Sequence, residues 1–105
     1  MQSKLRQGYL YIDDEKIGEV IFSIMDESMG GIGGRLVPND NYQKYQSSIR
    51  QHFVKQGVSN VGNFKFRILL EDSTELKSEG GIGVVDSEDS DEIYVEAAGL
   101  DLSKF

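Results

Sequence analysis

Gly8-Tyr-Leu-Tyr-Ile-Asp-Asp-Glu-Lys-Ile-Gly-Glu-Val-Ile-Phe-Ser-Ile-Met25 reads as two strands joined by a polar turn, and this pair sets the fold class. Gly8 to Ile12 is short, aromatic and branched, the composition that a pleated, half-buried surface favours. Asp13-Asp14-Glu15-Lys16 is the turn. Ile17 to Met25 follows as the second strand. Side chains alternate across a strand, so Val20, Phe22 and Ile24 share one face and Ile21, Ser23 and Met25 the other. Hairpin connections of this kind predict an antiparallel sheet.

Beyond the hairpin, Asp26-Glu27-Ser28 breaks the pattern and four glycines fall within residues 30–34. Arg35-Leu36-Val37 extends a third strand, and Pro38 stops it. Pro38-Asn39-Asp40-Asn41 is a helix entry, with Asp40 as the cap and Gln43 three residues on completing a capping box. The helix is expected from Asn41 to Gln56, burying a stripe of Tyr42, Tyr45, Ile49 and Phe53, with Gly57 just beyond its end. Val58 to Asn63 is a loop. Phe64 to Leu70 alternates strictly, with Phe64, Phe66, Ile68 and Leu70 on one face. A fifth strand starts at Leu76, resumes at Gly80 and ends near Val85. Glu92 to Ala97 is a sixth, with Ile93, Val95 and Ala97 inward. The order β-β-β-α-β-β-β predicts an α+β domain: a mostly antiparallel sheet of about six strands with one amphipathic helix packed on it. Residues 1–105 read as a single domain, long enough for one core.

Charge is distributed unevenly. Residues 1–56 balance, whereas residues 57–105 hold four Lys and Arg against eleven Asp and Glu, so the whole net charge of −7 lies in the second half. No basic residue falls between Lys77 and Lys104, and that interval carries eight acids. Nucleic-acid binding is disfavoured, because the basic residues are scattered singly and the acidic side repels phosphate. The longest apolar run is far short of the ~20 residues of a membrane span. Met1-Gln-Ser-Lys-Leu-Arg6 holds no apolar stretch of signal-peptide length, so the expectation is a cytoplasmic protein without membrane contact.

The usual chemical motifs are missing. There is no cysteine, one histidine (His52, near the helix end) and no Gly-x-Ser-x-Gly, which excludes disulfides, the common triads and the usual zinc sites. Gly30 to Gly34 lacks the Lys-Ser/Thr of a phosphate loop and reads as a flexible loop, a bulge or a tightly packed strand crossing. The acidic run Asp86-Ser-Glu-Asp-Ser-Asp-Glu92 fits no calcium loop: counted from Asp86, the positions that need Gly and Glu hold Asp91 and Ala97. Gly-Gly-Ile-Gly occurs at 30–33 and again at 80–83, each copy after a Phe-x-Ile-(Met/Leu) stretch, which is either a decayed repeat or chance. The chain thus reads as a binding protein and not an enzyme, with no metal and no cofactor.

Its size, its acidity, the absence of a leader or catalytic set, and the segment Gly80-Gly-Ile-Gly-Val-Val-Asp-Ser-Glu-Asp-Ser-Asp-Glu-Ile-Tyr-Val95 resemble the immunity proteins of bacterial toxin–immunity systems. The resemblance is to a class with many unrelated folds, so no residue role transfers by alignment. This chain also departs from the helical immunity proteins of nuclease colicins in being mostly strand. The resemblance implies a small acidic cytoplasmic protein that neutralises a cognate toxin, such as a nuclease, by occluding its basic active site. On that reading the contacts to a basic protein partner are Asp86, Glu88, Asp89, Asp91 and Glu92, with Tyr94 and Glu96 where their strand face is open. The alternative is a structural or interaction module, a phage or accessory protein, that assembles through a sheet edge at Glu92 to Ala97. A third reading is a ligand-binding domain or small enzyme built on the glycine segment and Arg35.

Overall fold

The computed structural model describes residues 5–56, 65–89 and 91–105, with residues 52–56 by their backbone alone. Seven strands form one antiparallel sheet: β1 (Leu5–Ile12), β2 (Glu15–Asp26), β3 (Gly31–Pro38), β4 (Phe66–Leu70), β5 (Glu75–Leu76), β6 (Gly81–Asp86) and β7 (Ile93–Ala98). Their order across the sheet is β5-β4-β1-β2-β3-β7-β6. One helix, α1 (Gln43–Gln56), connects β3 to β4. The sheet curls until β4 and β6 approach one another without pairing, and α1 packs against β6.

The leading hairpin forms as the alternation predicts. Leu10, Ile12, Ile17, Val20 and Phe22 are buried in the concave core, while Ile21 and Met25 stand 53% and 67% exposed on the convex face. The turn tightens to Asp13-Asp14, with Asp13 in the left-handed region at φ 52°. Its N–H donates to the carbonyl of Lys65 at 3.2 Å, which fixes the hairpin tip to the chain entering β4. The core continues through Ile32, Leu36, Ile68, Leu70, Val84 and Val95.

Two sequence expectations change. The strand count is seven, because the predicted fifth strand is two strands at opposite sides of the sheet. β5 pairs with β4, whereas β6 pairs with β7. The break is a turn held by Ser78: its carbonyl accepts from the Gly81 N–H at 3.3 Å, and its hydroxyl donates to the Gly81 and Ala98 carbonyls. The helix cap also moves. Asn39, not Asp40, accepts from the Asn41 N–H at 2.9 Å, and Asp40–Tyr42 is a tight 3-10 turn that precedes α1. Tyr42 and Ile49 are buried, and Tyr45 packs on the core, as the helical stripe requires. The side chains of His52 and Phe53, and the predicted features at Gly57, Val58 to Asn63 and Phe64, lie outside the described residues.

In both glycine segments the first glycine, Gly30 or Gly80, ends a turn and the rest is strand. An ideal Cβ at Gly34 would lie 2.2 Å from the carbonyl oxygen of Ile21, so only glycine lets β2 and β3 approach this closely. The segments flank β7 in one register. Ile32 and Ile82 both pair with Ala97, and Gly33 and Gly83 both pair with Glu96. On the convex face this leaves a shallow trough of about 550 Å³ over Gly31, Gly81 and Gly83, bounded by Met25 and Glu96.

Candidate functional site

The β6–β7 hairpin carries all seven residues singled out from the sequence, but it uses them in two ways. Six are exposed: Glu88, Asp89 and Asp91 in the connecting loop, Glu92 at the entry to β7, and Tyr94 and Glu96 on the convex face of β7. No ion pair reaches Glu88, Asp89, Asp91 or Glu96 among the described residues. Glu92 lies 3.8 Å from Arg35 on the neighbouring strand and accepts the Tyr94 hydroxyl. That hydrogen bond, with desolvation, holds the Tyr94 phenol above the usual tyrosine range. The result is one anionic strip running from the hairpin tip along the outside of β7.

Asp86 is the exception and leaves the contact set. It is 0% exposed, because it ends the inward series Ile82, Val84, Asp86 of β6. A buried carboxylate has to be hydrogen-bonded. Its Oδ2 accepts the Tyr42 hydroxyl at 2.6 Å and the Gln46 amide at 3.3 Å, and its Oδ1 accepts Arg50 Nε at 3.1 Å. All three donors come from the start and first turns of the helical segment, at spacings of four residues, so one helical face supplies the whole cage. Burial first, and then the bond to Asp86, pushes the Tyr42 phenol far above the ordinary tyrosine value. The other end of the fold holds α1 in a similar way: Glu15 of β2 accepts the Tyr45 hydroxyl at 2.6 Å and the Lys44 ammonium.

Between this helical face and the acidic loop runs a groove of about 570 Å³, lined by Gln43, Ser47, Arg50 and Gln51 on one side and Glu88 and Asp89 on the other. Nothing in the charge pattern marked these helix residues. Their signal is the spacing of Tyr42, Gln46 and Arg50, which sets a second, polar face beside the apolar stripe.

β7 is not an edge. It pairs with β3 on one side and β6 on the other, so assembly through Glu92 to Ala97 as an exposed strand is overturned. Arg35, the cation of the ligand-binding reading, is 60% exposed on the open convex face and lines neither cavity. Among the described residues, no group of acids or histidines is placed to hold a metal ion, and no helix is long and apolar enough to cross a membrane.

No protein-family model, curated protein or solved structure gives a significant match to this chain. The reading of function therefore rests on the geometry of the hairpin and helix alone.

Proposed function

We propose that the protein is a cytoplasmic toxin-neutralising protein of the immunity class, and that it binds the basic active-site surface of its toxin through the β6–β7 hairpin without catalysing a reaction. The observation that carries this is the strip itself: four carboxylates, Glu88, Asp89, Asp91 and Glu96, on one hairpin and without an ion-pair partner among the described residues. Carboxylates that the fold does not neutralise attract a cationic partner over a distance and speed its encounter. A toxin that binds nucleic acid offers a matching surface, because its site is built to receive phosphates.

The test is to read the open reading frame immediately upstream and to co-express the C-terminal domain of its product with this chain. Rescue of growth supports the reading. With that pair in hand, Asp89→Lys together with Asp91→Lys is expected to slow association and flatten its dependence on salt. Unchanged association kinetics would remove the loop from the interface.

A second reading, assembly with another protein subunit, is favoured by one observation. Leu5, Ile21, Met25, Met29, Val37 and Tyr94 are all exposed, most of them on the convex face. It calls for native mass spectrometry, where a stable oligomer at micromolar concentration puts it ahead.

A further inference from the structure

The groove between α1 and the acidic loop has walls of opposite character. On the helix side, Arg50 uses only its Nε on Asp86, and no other bond or ion pair reaches its guanidinium among the described residues. Its side chain remains 32% accessible and lines the groove. Gln43, Ser47 and Gln51 add amides and a hydroxyl, groups that both donate and accept. On the loop side stand Glu88 and Asp89. Arg50 and Asp86 cancel one another, so the two loop carboxylates leave the groove anionic overall. The loop is also held at its root: Asp86 is fixed by three donors, and the Asp89 N–H bonds the Ser87 hydroxyl at 3.2 Å. Anchoring the root in this way lowers the ordering cost of binding beside it.

We infer that this groove seats one arginine residue of the partner, presented on an extended segment. The guanidinium lies against Glu88 and Asp89, where its planar fork can meet two carboxylates. The carbonyl of the same residue accepts from the terminal amino groups of Arg50, and the side-chain amides of Gln43 and Gln51 bond the adjacent peptide groups. This inference rests on the reading of the hairpin as a docking surface and deepens it: the loop acts with the helix, not alone.

The test needs no toxin. The ¹⁵N-labelled chain is titrated with acetyl-Gly-Arg-Gly-amide, with the Gly-Gly-Gly and Gly-Glu-Gly peptides as controls. Saturable shifts are expected at the amides of Ser47, Gln51 and Ser87 to Asp89 with the arginine peptide alone. Glu88→Gln together with Asp89→Asn should weaken binding about tenfold, the scale of one charge-assisted hydrogen bond. Ser47→Tyr, at an exposed helix position, fills the groove and leaves every charge in place, and it should abolish the shifts. Equal shifts with all three peptides, shifts centred on Glu96, or full binding by Ser47→Tyr would each overturn the inference. Growth rescue by the chain would be untouched by such a failure, so the groove and the proposed function fail separately.

Discussion

Asp86 and Asp89 belong to one acidic run, three residues apart, yet they serve different ends. Asp86 is sealed against the helix by three donors, and Asp89 is exposed and has no counter-ion among the described residues. The first stabilises the position of the hairpin, and the second forms no side-chain bond or ion pair among the described residues. A run of like charges in sequence is therefore not one surface. Strand parity decides which of its members the core takes.

The largest effect that tests this contrast is removal of the buried member. Asp86→Ala leaves the Tyr42 hydroxyl and the Gln46 amide without their acceptor. Urea unfolding should show a loss of about 2–4 kcal/mol, below the full cost of breaking a buried pair because Arg50 can still reach water. A loss under half a kcal/mol would show that Asp86 is no better held than its exposed neighbours. Tyr42→Phe removes one donor and keeps two, so a loss of about 1–2 kcal/mol is expected by the same method.

The exposed member should behave in the opposite sense. Asp89→Lys together with Asp91→Lys is expected to leave stability within about 0.5 kcal/mol of the parent, since no bond or ion pair reaches those carboxylates among the described residues. A large destabilisation would mean that the loop is structural and would erase the contrast.

The smallest effect concerns a third kind of carboxylate, exposed but bonded within its own turn. Asp26 accepts from Ser28 and Met29, Asp72 from Thr74, and Asp101 from Ser103. Side-chain hydrogen bonding, first from Ser28, Thr74 and Ser103 respectively, lowers all three below the ordinary value of 3.8. A lowered folded-state pKa contributes stability that is fully present above the unfolded value and is lost as pH falls through the folded value. Urea midpoints should therefore be level with respect to these three groups above pH 5 and decline smoothly below about pH 4. Replacing all three with Asn should shallow that decline.

The sheet was legible wherever one face was wet. Val20 to Met25 and Phe66 to Leu70 alternate, and they lie in strands within the spans 17–25 and 64–70 that the sequence predicts. The division between β5 and β6 was not legible, because a side-chain hydroxyl, Ser78, makes it by bonding across to Ala98 of β7. No local propensity encodes that contact. Asn39 and Asp40 are equally good caps on chemistry alone, and the backbone entering from Pro38 selects Asn39. Of the candidate site, the exposed acids could be read from composition. The helix half of the groove could not, since glutamines and a serine on a helix look like ordinary solvated surface. The burial of Asp86 was legible in principle, as Ile82, Val84 and Asp86 share parity, but charge was the stronger signal and pointed outward.

The placement of β7 between β3 and β6 has a temporal consequence. Leu36 and Ile93 are sheet neighbours, so β3 remains without its second partner until everything between them has left the ribosome. The anionic hairpin is therefore synthesised after the other five strands, and it is also the piece that fills the gap beside β3. A nascent chain completes the proposed docking strip only once its sheet is whole, so chains that stop short of β7 lack that strip.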